Sequence, residues 1–138
     1  SPSQIFDAPQ REKTRAFINR LKTFHRTITD RNFDIYELNS AAVEFCRRQY
    51  ASEKQIYRVQ LVLEELLLNI ILPQLEDGKI AVDVTVEYSV KDSRLAVFIS
   101  SAEPFTLRES GEDDLSMFML RAVCTDITEE QNGVRLYL

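Results

Sequence analysis

Glycine, cysteine, histidine and tryptophan are all scarce in this chain: three, two, one and none among 138 residues. So little glycine, with only four prolines, argues against long disorder and against a turn-dense all-β fold. Cys46 and Cys124 are far apart and form no Cys-x-x-Cys pair, so neither a disulfide framework nor a zinc site is expected. Both read as small apolar residues in a reducing compartment. A metal site or catalytic triad centred on imidazole would depend on His25 alone, and an ordinary surface or packing role is expected for it. Basic charge is also short: the net charge is −5, which disfavours nucleic acid as a ligand because phosphate contacts need a basic surface. No long hydrophobic run is present. Leu61 to Leu75 is interrupted by Glu64, Glu65 and Asn69, too short and polar to span a bilayer. No basic stretch leads into an apolar one at the N-terminus, so no signal peptide and a cytoplasmic location are expected.

What is present is periodicity. The length suits a single core. Phe17, Leu21, Phe24 and Ile28 recur at four, three and four residues, which predicts a helix over about 9–29. Residues 1–32 are therefore read as an N-terminal helix, either packed on its own domain or serving as a linker or dimer element. A second helix is expected to start near Asn39-Ser40, either of which can cap it. A third starts at Ser52, where Ser52 and Gln55 make a capping-box pattern, and Pro73 stops it. Ile80, Val82, Val84, Val86, Tyr88 and Val90 alternate with polar residues and predict a strand with one buried face. Lys91-Asp92-Ser93 reads as a turn. Leu95 to Ile99 is apolar on both faces and reads as an interior strand. Residues 106–114 read as an exposed loop and 115–123 as a short helix. Strands at 127–130 and 134–138 flank Asn132-Gly133, a strong hairpin signal. The order predicts a two-layer α+β sandwich, with helices on one face of a mixed, mostly antiparallel sheet.

One pair of residues stands out. Glu65 and Asn69 are four apart on the third helix, which stacks them on one stripe among Leu61, Val62, Leu66, Leu68 and Ile70. Polar groups in such surroundings need a partner: a cation, a water, or simply another side chain of the fold. Glu64 lies about 100° away and is expected to face solvent.

Residues 33–138 resemble the histidine-kinase-like (GHKL) ATPases, and among them the anti-sigma-factor serine kinases. Glu64-Glu65-Leu66-Leu67-Leu68-Asn69 looks like that family's N box, Glu-x-x-x-Asn. The resemblance implies Glu65 as catalytic base and Asn69 as the Mg²⁺ ligand. Ser100-Ser101-Ala102-Glu103-Pro104-Phe105 looks like the G1 box, Asp-x-Gly-x-Pro-Phe, with Ser100 in place of the adenine-binding aspartate and Ala102 in place of the glycine; a one-residue shift would substitute Ser101. Asp114-Leu115-Ser116-Met117 looks like the G2 box with both glycines replaced, by Asp114 and Ser116. Asp114 would oppose a triphosphate at that helix start. Residues 106–116 would form the lid. The resemblance implies ATP and Mg²⁺ as cofactors, with Asn69, Ser100, Ala102 and Ser116 as contacts. At most it implies an ATP-dependent serine/threonine kinase of a bacterial signalling system with weak or lost turnover. The alternative is a pseudo-ATPase that acts as a protein-interaction module. Expected partners are a sigma factor, an antagonist, an own upstream domain or a second copy of the chain, with no nucleic acid and no membrane insertion.

Overall fold

The computed structural model describes residues 21–107 and 114–138, the side chain of Asp114 excepted. The expected α+β sandwich is present. Strand β1 (Leu21–Ile28) is followed by helices α1 (Ile35–Arg48) and α2 (Glu53–Leu63). α2 continues as a π-helical segment, Glu64–Ile71, and ends in a 3₁₀ turn, Leu72–Gln74. Then come β2 (Val82–Ser89), β3 (Arg94–Ser101), α3 (Asp114–Val123), β4 (Asp126–Glu130) and β5 (Gly133–Tyr137). The sheet order is β1-β2-β3-β5-β4, and every junction is antiparallel rather than mixed.

The alternation in β2 and β3 reads as expected. Val82, Val84 and Val86 lie opposite Ser101, Ile99 and Val97, and Ile99 and Val97 lie opposite Val134 and Leu136. All are buried. This row faces the helical layer, where Ala42, Phe45, Val59, Val62, Leu63, Leu66, Leu67 and Leu120 complete one core. The outer row is held by charge: the Arg135 guanidinium pairs with Glu87 at 2.8 Å and lies over the Phe98 ring.

Four expectations are corrected. The helix foreseen over 9–29 is, from Leu21 to Ile28, an edge strand paired along its whole length with β2; the rest of that stretch lies outside the described residues. Phe24 and Ile28 still bury together, because a separation of four also returns to the same face of a strand. Leu21, an odd number of positions from Phe24, is instead 54% exposed. Helix α1 starts at Ile35, capped by the Asp34 carboxylate, which accepts from the amides of Tyr36 and Glu37. Asn39 is thereby freed from capping and is buried. Glu64 does not face solvent alone: it is half-buried and accepts from Asn39. The hairpin loop is Gln131-Asn132, one position earlier than the Asn132-Gly133 pair suggests, since Glu130 already pairs with Gly133. Asn132 takes the positive φ of 59°. Gly133 is needed for space: a Cβ there would lie 3.0 Å from the Ile99 carbonyl oxygen.

At the end of α1 the Ala51 amide bonds the Cys46 carbonyl and the Tyr50 amide bonds the Arg47 carbonyl, a Schellman closure with Tyr50 in the left-handed position at φ 62°. Glycine normally occupies that place. Tyr50 is 92% exposed, so no packing compensates for its strained backbone. Tyr50→Gly is expected to raise stability by about 1 kcal/mol in chemical denaturation. A loss of similar size would show that the tyrosine ring contributes a contact.

Candidate functional site

The site grows from an irregularity in α2. From Glu64 onward the helix widens to π geometry over eight residues. Such segments are rare and concentrate at functional positions. α2 packs against both α1 and α3, so the polar residues of its widened half meet partners on both sides.

Towards α3, Glu65 is half-buried. Its Oε1 accepts from Asn69 Nδ2 at 2.9 Å and from Ser116 Oγ at 2.8 Å. Asn69 itself is exposed, and Ser116 is half-buried in the first turn of α3. Three of the residues singled out from the sequence are thus brought together. Towards α1, Asn39 Nδ2 donates to Glu64 Oε1 at 2.9 Å, while the buried Asn39 Oδ1 has no hydrogen-bond partner among the described residues.

The other two expected contacts lie elsewhere. Ser100 stands opposite Asp83 and Gly133 in the outer row of β3. Ser101 is the inward serine, 5% exposed, and its Oγ accepts the Glu103 amide at 3.2 Å. Ala102 lies just past the strand with its amide bonded to the Ala81 carbonyl at 3.0 Å. Among the described residues no hydrogen bond or ion pair joins Ser100 or Ala102 to Glu65, Asn69 or Ser116.

No local sequence pattern points to Gln74. Its Nε2 donates to the carbonyls of Ile70 and Thr106 at 2.7 and 2.8 Å, and its Oε1 accepts the Thr106 amide at 3.0 Å. Gln74 therefore sews the loop after β3 onto the end of α2. Phe105 packs on the core and Leu107 is buried in it. Most of the expected lid, residues 108–113, lies outside the described residues; its two described ends, Thr106 and Ser116, are both fastened to α2.

Arg31 is a second residue that sequence reading missed. Its guanidinium donates to the carbonyls of Leu72, at 2.7 Å, and Leu75, and pairs with Asp77 at 2.8 Å. It neutralises the carbonyl end of the long helix. Arg31 and Asp77 also line a cleft of about 500 Å³, with Thr29, Asp30, Asn32, Gly78 and Ile80. Its one guanidinium is already committed to the helix end.

Burial pushes the thiols of Cys46 and Cys124 up to about 11, so both are protonated at neutral pH and serve as packing groups. Among the described residues no cluster of three His, Cys, Asp or Glu is placed to hold a metal, and no helix is long and apolar enough to cross a membrane.

No protein-family model matches the chain, and no curated protein matches it.

The residues present fit a magnesium triphosphate only in part: the Asn69 carbonyl oxygen, the atom that could ligate Mg²⁺, makes no hydrogen bond among the described residues. The carboxylate oxygen that would act on a substrate already accepts two hydrogen bonds from its own chain. The inward serine of β3 is engaged by the loop that follows it. The contacts made by Glu65, Asn69, Ser116 and Gln74 are all to neutral groups or to Glu65 itself, so they bring no cation to a phosphate.

Proposed function

We propose that this chain is a regulatory protein-interaction domain built like the histidine-kinase-like ATPases of the anti-sigma-factor kind, with its nucleotide site closed by its own side chains. The observation that carries the reading is the double hydrogen bond into Glu65. Asn69 and Ser116, the groups that the family resemblance would assign to Mg²⁺ and phosphate, both donate to that carboxylate. The order of helices and strands, and the four-residue spacing of Glu65 and Asn69, support the family likeness. In this reading the domain works in the cytoplasm on another protein: a sigma factor, an antagonist, or a domain of its own chain. It holds its shape without ATP.

A working ATP-dependent serine kinase is the competing reading. It is favoured by the exposure of Asn69, whose carbonyl oxygen makes no hydrogen bond among the described residues. Thermal melting separates the two. A ligand at a hundred times its Kd adds about 2.7 kcal/mol, roughly 8 °C for a chain of this size. No shift is expected with millimolar ATP and Mg²⁺. A magnesium-dependent rise that disappears in Asn69→Ala would replace the proposed reading with the kinase.

A further inference from the structure

The sheet ends in a strand that carries charge of one sign. In the order β1-β2-β3-β5-β4 nothing lies beyond β4 among the described residues. An edge strand offers unpaired N–H and C=O groups to whatever can lie alongside it. β4 reads Asp126-Ile127-Thr128-Glu129-Glu130, with every residue but Ile127 exposed. It has neither proline nor a basic residue, so only negative charge guards this edge. The hairpin loop holds two residues, which makes Glu130 and Gly133 the closing hydrogen-bonded pair and turns the backbone groups of Ile127 and Glu129 outward. The far end is pinned as well: the Thr125 amide and Oγ1 both donate to the Tyr137 carbonyl, at 2.7 and 3.1 Å. The charges on this edge are largely unspent. Arg135, on the neighbouring strand, gives its guanidinium to Glu87 and Glu130. Asp126 accepts the Thr128 hydroxyl at 3.5 Å, and neither Asp126 nor Glu129 makes an ion pair among the described residues.

We infer that β4 binds an extended basic segment of another protein, which adds to the five-stranded sheet as a further strand. A second β4 does not suit the edge, because carboxylates would lie against carboxylates. A helix does not suit it either, because its backbone groups are already paired within itself. In the antiparallel register the sequence that matches the edge is Lys-Lys-Thr-Val-Lys. Its lysines fall against Glu130, Glu129 and Asp126, its threonine against Thr128 and its valine against Ile127. Main-chain bonds to Ile127 and Glu129 supply the alignment, and the carboxylates select the charge. So short a strand buries less area than a stable interface needs, so the complex is a dissociable one, and its charged part weakens with salt. This inference goes beyond the proposed function and uses none of Glu65, Asn69 and Ser116.

The test is fluorescence anisotropy of a labelled, amidated Lys-Lys-Thr-Val-Lys peptide titrated with the full chain, joined to amide hydrogen exchange of the complex. The expected result is saturable binding with slowed exchange at Ile127 and Glu129. Asp126→Asn with Glu129→Gln should weaken it about fivefold or more while melting stays unchanged, since both side chains are exposed. N-methylation of the peptide valine removes a donor aimed at the edge and keeps every charge; it should weaken binding about tenfold. Absence of saturation at millimolar concentration overturns the inference. Equal binding of the N-methylated peptide also overturns it, by reducing the contact to charge attraction without strand pairing. So does slowed exchange confined to strands other than β4.

Discussion

Phe24→Ala is expected to lower stability by about 3 kcal/mol, and the melting temperature by roughly 10 °C. Phe24 is 9% exposed. Its ring lies 5.9 Å from that of Phe45 on α1, is covered on another side by the Arg26 guanidinium, and sits opposite Val86 of β2. Truncation removes the aromatic contact and leaves a cavity between the edge strand and α1, where an edge position allows only partial collapse. Leu21→Ala, on the opposite row and 54% exposed, should change stability by less than about 0.5 kcal/mol. The pair of values, read by urea denaturation, tests whether residues 21–28 are part of the sheet. A helix with Leu21 and Phe24 on one apolar stripe would make both substitutions costly. A Phe24→Ala loss under about 1 kcal/mol would contradict the strand placement.

The second large effect is a coupling. Glu64→Leu removes the one hydrogen bond that the Asn39 side chain makes among the described residues; Asn39 is 5% exposed and its oxygen already has no partner among them. An amide stranded in that position costs about 2 kcal/mol. Asn39→Leu alone leaves a half-buried carboxylate without its donor and is also unfavourable. Making both changes, Asn39→Leu with Glu64→Leu, removes the stranded groups together and should cost little, because replacing both members of a polar pair avoids the desolvation penalty that each single change incurs. The expected coupling in the double-mutant cycle is therefore about 1–2 kcal/mol in the favourable direction. Simple additivity of the two losses would mean that Asn39 and Glu64 do not depend on each other.

The parts of the fold that were legible in the sequence were those fixed by short-range periodicity. The valines of β2 alternate over eight residues, and only a half-buried strand does that. Ser52 and Gln55 formed their capping box as the pattern required. The N-terminal stripe was misread because a separation of four, as between Phe24 and Ile28, satisfies helix and strand alike. Thr23 and Thr27, better suited to strands, carried the missing signal. Asn39 was read as a cap because it precedes an apolar run. Asp34, followed three positions later by Glu37, was the better start, and an asparagine on the Leu38–Ala42–Phe45 side had to be buried. In the hairpin Asn132 is the turn residue the pattern marks, while Gly133 belongs to β5 and the register lies one position earlier than the pair suggests.

The candidate site divides in the same way. Glu65 and Asn69 are local to one helix, and their spacing alone brings them together. Ser116 reaches Glu65 across 51 residues of sequence, a contact set by how α3 packs on α2 and invisible to any local pattern. Between Ser100 and Ser101 a single step of register decides which hydroxyl faces the helical layer. The strand pairing chooses Ser101.

The most direct test of a closed cleft is a nitrogen-correlated NMR titration with ATP and Mg²⁺, following the side-chain amide of Asn69 and the backbone amide of Ser116. The account predicts that both signals stay in place up to millimolar ATP, because their donors remain on Glu65. Saturable movement of both signals, dependent on Mg²⁺ and reaching a plateau, would show the cleft opening to receive a nucleotide and would contradict it.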